Sequence, residues 1–178
     1  MFGELKIMIN VNEPLKNIEN YLPPKLKMVD FQSWSIFFEH VYKVFTQDFI
    51  TSKPNFRGIK IGFKRMPEYY NKSSTFWHIV SSGEVEAERE PCIERCERIV
   101  WPRPIIDHSE HDELKVWVEK QKGEDRVHIL YEQEGYIVVL NKRKGYWLFW
   151  TAFYIEKAHQ ITKYNRRYNR NKHLEIII

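Results

Sequence analysis

With 178 residues, 28 Lys and Arg against 24 Asp and Glu, and a formal net charge of +4, the chain has the length for one domain with a sizeable core. Its two cysteines, Cys92 and Cys96, argue against a disulfide framework and fit a reducing, cytoplasmic compartment. No apolar run approaches the roughly 20 residues a membrane helix needs, and the polar Asn-Val-Asn-Glu-Pro after residues 1–9 makes a secretory leader a poor fit. The charge is uneven. Nine Lys/Arg and two Glu after residue 141 give that stretch +7 and leave −3 for the rest, which points to an anionic partner.

In chain order, residues 1–29 read as an N-terminal arm with a strand-like run at 5–9, 30–172 as one domain, and 173–178 as a tail. Asp30 can cap a helix running to about Ile50. Phe31, Trp34, Phe38, Val41, Phe45 and Phe49 form its apolar stripe, widened by Phe37 and Val44. Residues 57–64 alternate as a strand, with Ile59, Ile61 and Phe63 on one face and Lys60 and Lys64 on the other. Gly58 and Gly62 leave the lysine face approachable. Residues 66–74 form a polar loop, and 75–81 are apolar around His78. Pro91 suits the first position of a helix, after acidic Glu86, Glu88 and Glu90, with Cys92, Ile93, Cys96, Ile99 and Val100 inward. The two cysteines read as structural, since no further metal ligands cluster near them. Pro102 and Pro104 are expected to stop that helix and hold Arg103 extended.

Four strand-like runs follow, at 114–120, 126–131, 136–140 and 146–154, joined by short glycine-bearing links, so they must pair antiparallel as a meander. The last link, Asn141-Lys142-Arg143-Lys144-Gly145, sets three cations at a hairpin tip. The run after it is apolar on both faces, which places it centrally in a sheet. Residues 157–172 read as a basic helix bearing Lys163, Arg166, Arg167 and Arg170. The order is α+β: N-terminal helices on one face of a C-terminal antiparallel β-meander, then a basic C-terminal helix. The open face of that sheet is the natural site. His78, Arg103, Arg143, Lys144, Thr151 and Tyr154 are the candidates to furnish it.

Three segments carry a resemblance: Thr75-Phe76-Trp77-His78-Ile79, then residues 95–104 (Arg-Cys-Glu-Arg-Ile-Val-Trp-Pro-Arg-Pro), then 144–154 (Lys-Gly-Tyr-Trp-Leu-Phe-Trp-Thr-Ala-Phe-Tyr). Together they resemble a phage-associated group of the barnase–EndoU–colicin–RelE-like (BECR) nuclease superfamily, over about residues 24 to 170. The resemblance implies a small α+β fold, metal-independent RNA cleavage by 2′-hydroxyl transesterification, no cofactor, and a toxin-like setting with an inhibitory partner protein. The residues read alone agree. Metal-free cleavage needs a base for the 2′-hydroxyl, an acid for the leaving oxygen and cations for the phosphorane. Histidine suits the proton transfers and Arg or Lys the charge. His78 is then base or acid, and Arg103 with Arg143 or Lys144 clamps the phosphate. Thr151 or Tyr154 orients it, although in an unbroken strand these two point to opposite faces. No counterpart of the barnase-like glutamate base is found, so the base stays open. Lys60, Lys64, Lys142, Lys163, Arg166, Arg167 and Arg170 are the candidates to bind nucleic acid.

Other readings compete with this one. Asp112, Glu119 and Gln121 could hold Mg²⁺ in a metal-dependent nuclease, a reading disfavoured by a sheet that looks all antiparallel. The 107–112 run (Asp-His-Ser-Glu-His-Asp) could bind a metal but reads as a solvated loop. The chain could also be a non-catalytic RNA- or DNA-binding module, or an interaction protein of a phage or toxin-like system.

Overall fold

A computed structural model describes residues 17–83 and 89–177. The run expected as a strand at 5–9 and the acidic Glu86 and Glu88 lie outside those residues.

The helical layer opens with α1, Trp34–Phe45, which continues as a wider π-type turn through Thr46–Thr51. Its cap is Ser33, whose hydroxyl accepts a hydrogen bond from Ile36 N at 3.3 Å. Asp30 is not the cap; it ends a separate 3₁₀ turn at Met28–Asp30. Both are capping residue types, and the buried row Phe37, Val41, Phe45 and Phe49 decides between them. That four-residue step begins one turn after Ser33. Trp34 falls outside the row, 37% exposed and stacked on Phe38 at 5.5 Å. Ser33→Ala should therefore lower stability by about 1 kcal/mol, read as a lower urea midpoint, while Asp30→Ala leaves the midpoint unchanged.

Two short strands follow, β1 (Asn55–Phe56) and β2 (Ile59–Gly62), reversing at Arg57 and Gly58, both at positive φ. Next come α2 (Ser74–Val80), the two-residue pair β3 (Ser81–Ser82) and β4 (Glu90–Pro91), α3 (Ile93–Glu97) and α4 (Pro102–Asp107). Two proline expectations are corrected here. Pro91 pairs with Ser81 in β4, and Cys92 is the N-cap of α3. Of the stripe expected there, Cys96 and Ile99 are buried, whereas Ile93 is exposed. Pro102 starts a helix instead of stopping one, because its missing N–H is one that a first turn leaves unbonded anyway. Arg103 is accordingly helical, not extended.

The long strands β5 (Leu114–Gln121), β6 (Glu124–Tyr131), β7 (Tyr136–Arg143) and β8 (Tyr146–Tyr154) form the antiparallel meander. The sheet does not end at β8. Its order is β1-β2-β8-β7-β6-β5, and β2 joins β8 in parallel through Ile61↔Trp147 and Gly62↔Leu148. The six-stranded sheet is thus mixed, and β8 is internal, as its two apolar faces require. β2 pairs with β8 only as far as Leu148, and α2 and α3 also pack against β8.

Alternate residues of β7 feed two cores. Tyr136, Val138 and Leu140 join the large cluster with Phe37, Phe45, Phe76 and Trp147 under the helical layer. Ile137 and Val139 face the other way, with Trp117 and Leu130, under α5 (Ala158–Asn171). The face expected to be open is therefore partly covered by Ile161, Tyr164 and Tyr168 of that helix. A bulge interrupts the last pairing: Val139 lies opposite Thr151 and Leu140 opposite Phe149, so Trp150 is the extra residue. Among the described residues, no helix is long and apolar enough to cross a membrane.

Candidate functional site

The site is organised by α2. Its Ser73 cap accepts from Phe76 N at 3.3 Å, and its first turn is fastened to the chain leaving β2. Ser74 N and Thr75 N donate to the carbonyls of Arg65 and Lys64 at 3.0 Å each, and Lys64 N donates to Thr75 Oγ1 at 2.8 Å. Phe76, Ile79 and Val80 enter the core, which leaves Trp77 and His78 half-buried on the flank.

His78 lies between two cavities. The larger, of about 230 Å³, also holds Tyr69, Tyr70, Trp77, Ser81 and Arg89 in its walls. The smaller, of about 130 Å³, reaches Lys64, Thr75, Leu148 and Trp150. Arg89 Nη1 stands 2.5 Å from His78 Nδ1. A guanidinium only donates, so Nδ1 accepts and the ring proton sits on Nε2. On its other side the imidazole meets Trp150, ring centroids 5.6 Å apart. The same indole also carries the Arg126 guanidinium, 4.7 Å from its centroid. The bulge in β8 is what offers Trp150 to both partners. The result is a half-exposed imidazole with Arg89 in contact and Lys64 in the adjoining cavity, two cations beside a group of the type that can transfer protons.

Of the candidates from sequence, His78 and Lys64 come together, and the others are elsewhere. Arg103 binds Asp107 at 2.6 Å and the Asp48 carbonyl at 2.8 Å, with a further bond to the Ser52 carbonyl, so it ties α4 to the end of α1. Arg143 bonds Glu124 at 3.0 Å at the hairpin tip, where Lys144 is exposed and Lys142 half-buried. Asn141 also bonds Glu124, and these partners hold its carboxyl below the usual range, Asn141 contributing most. Thr151 follows the bulge on the α5 face. Tyr154 is opposite Tyr136 on the helical face, its ring 4.4 Å below the Arg98 guanidinium. The bulge precedes both residues, so it does not bring them together. Lys60, Lys163, Arg166 and Arg170 are exposed, while Arg167 turns inward to Glu119.

Glu119 is a hub that also accepts from Gln121 at 2.6 Å, and Asp112 is exposed in the turn before β5. In the 107–112 run, His108 packs against Tyr21 at 3.9 Å and His111 Nδ1 accepts from Glu113 N at 3.2 Å. Among the described residues, no group of three or more His, Cys, Asp or Glu is arranged to hold a metal ion. Burial pushes the Cys96 thiol up to about 12 and raises that of Cys92 as well, which leaves both as thiols and poor nucleophiles.

Sequence reasoning missed Tyr70, Ser81, Arg89 and Trp150. Only Tyr70 carried a local signal, since Tyr-Asn between two structured runs fits a tight turn. No family model matches the chain, and no curated protein or solved structure is significantly similar to it.

Proposed function

We propose that the chain is a metal-independent endoribonuclease that cleaves RNA by attack of a 2′-hydroxyl on the adjoining phosphate at His78. The observation that carries this reading is the imidazole set between Arg89 and the Lys64 cavity. The resemblance to BECR nucleases points the same way. Phosphoryl oxygens entering the site attract Arg89 and Lys64, whose charge offsets what builds up on the phosphorane. When Arg89 turns to the phosphate, Nδ1 of His78 is released and can take up a proton, and the protonated ring can return it to the leaving oxygen. Substrate binding thus arms the base.

On this reading RNA is the partner, the cytoplasm of a phage-related, toxin-like system is the setting, and an inhibitory protein holds the activity in check. The test is incubation of purified protein with RNA in excess chelator. Cleavage leaving 2′,3′-cyclic phosphate ends is expected. Cleavage that stops with chelator, or leaves 5′-phosphate ends, would sink the proposal.

A binding-only role has its own support in the exposed Lys163, Arg166 and Arg170 on α5. It predicts salt-sensitive RNA affinity with the RNA intact at every protein concentration.

A further inference from the structure

The larger cavity beside His78 has features that phosphate chemistry does not require. At its mouth stands Tyr70, 86% exposed yet held at φ 50, beside Asn71 at φ 57. A left-handed backbone is ordinary for asparagine and unfavourable for a bulky aromatic. The turn is held from three sides. Lys72, 8% exposed, reaches Glu39 at 2.6 Å. Tyr42 Oη donates to the Asn71 carbonyl at 3.3 Å, and Trp77 Nε1 donates to the Tyr69 carbonyl at 2.9 Å. These neighbours fix a strained conformation whose ring, left in water, adds little burial to the fold. Such strain is retained where something else uses it.

The Tyr70 ring lies 6.1 Å from that of Trp77 at 56°, so the pair forms an open aromatic mouth. The floor is polar and unsatisfied. Ser81 is 1% exposed, lines the cavity and has no hydrogen-bond partner for its hydroxyl among the described residues. Arg89 Nε is likewise buried and unpartnered among them. A buried hydroxyl and guanidinium N–H left this way cost the fold free energy that a ligand recovers. The occupant must then be flat, aromatic and polar at its edge. At about 230 Å³ the cavity is below the roughly 300–1,000 Å³ of sites for larger ligands, a size that suits one ring system and not a base pair.

Resting on the ribonuclease reading, we infer that this cavity is a nucleobase subsite: single-stranded RNA turns one unstacked base against Tyr70 and Trp77, its edge on Ser81 and Arg89, and its phosphate at His78. Bases splayed from a single strand stack on aromatics in this way, whereas a duplex keeps its bases inside.

The full chain is tested as wild type, Tyr70→Ala and Tyr70→Phe. Each is titrated calorimetrically with the common ribonucleoside 3′-monophosphates, and assayed on a single-stranded oligoribonucleotide and on the same strand annealed to its complement. Tyr70→Ala should weaken mononucleotide binding about 5- to 100-fold, Tyr70→Phe should bind like wild type, and the duplex should be spared. Mononucleotides that fail to bind at millimolar concentration, or bind Tyr70→Ala unchanged, overturn the inference, as does equal cutting of the duplex. Mononucleotides that bind as expected while no RNA is cut sink the cleavage reading and leave the subsite standing. RNA cut at an undiminished rate by Tyr70→Ala sinks the subsite and leaves the cleavage reading.

Discussion

On the ribonuclease reading, His78→Ala should cut RNA in chelator about 10²- to 10⁴-fold more slowly than wild type, the span a positioned proton-transfer group supplies, and should fold normally. Folding survives because α2 is held by Phe76, Ile79 and Val80 in the core and by its first-turn bonds to Lys64 and Arg65. The imidazole is half-buried on the flank, outside the fully buried residues of the core. On the same reading, affinity for RNA should fall much less than the rate, since Arg89 and Lys64 remain. Arg103→Ala gives the contrasting result. Its guanidinium ties α4 to the carbonyls of Asp48 and Ser52, so the loss appears as a lower melting temperature with cleavage by the folded fraction unchanged. Initial rates on end-labelled RNA, paired with thermal melts of each variant, decide the matter. A His78→Ala rate within about threefold of wild type leaves His78 without a role in proton transfer.

The parts of the fold that were legible in the sequence are those with local causes. The meander could be read because its strands are joined by links too short for any crossover. The central position of β8 could be read because Trp147 and Phe149 on one side, and Trp150 and Phe153 on the other, leave no face for water. The parallel pairing of β2 with β8 could not. It joins residues more than 80 positions apart, Ile61 with Trp147, and no short-range pattern announces such a partner. The prolines misled for a definite reason. One residue type both ends helices and starts them, and the direction depends on which neighbouring N–H groups the fold has already satisfied.

The same division runs through the site. His78 stood out by residue type and by its apolar setting. Its neighbours Arg89, Tyr70 and Trp150 come from the residue before β4, a loop and a bulge, and only the folded chain brings them within reach. The hairpin cations were rightly read as surface residues. Arg143, however, is engaged by Glu124, and the tip is at the opposite end of β8 from Tyr154, with Trp150 between them.

Acidification from about pH 6.5 towards pH 4 removes on the order of 3 kcal/mol of stability through His128 alone. This imidazole is 2% exposed and lies flat on Trp117, centroids 4.9 Å apart at 11°. Burial is the main cause that pushes it down to about 4, and the charge of Arg126 acts in the same direction. Glu119 Oε1 is 3.5 Å from Nε2 but does not rescue the charged form, because Arg167 already holds that carboxylate. Arg167 also points a donor at Nε2 from 3.4 Å. The unfolded chain, with an ordinary histidine, takes up a proton first as pH falls. Stability from this group is therefore complete above about pH 6.5, declines through the window, and changes no further below about 4. Carboxylates held low by partners, such as that of Glu132, begin to lose their contribution only as pH nears their ordinary value, so the upper part of the window reports His128 alone. His128→Phe keeps the flat stack on Trp117 and cannot titrate. Urea midpoints measured in steps from about pH 7 to 5.5 should slope downward in acid for wild type and run level for the variant, the two profiles sharing only the carboxylate slope below that; parallel slopes throughout would refute the assignment. The network of Glu119, Arg167 and His128 also fastens α5 to the sheet. In the folded chain that imidazole stays neutral until about pH 4, so the helix that carries Lys163, Arg166 and Arg170 keeps its anchor through most of the window while the global stability falls.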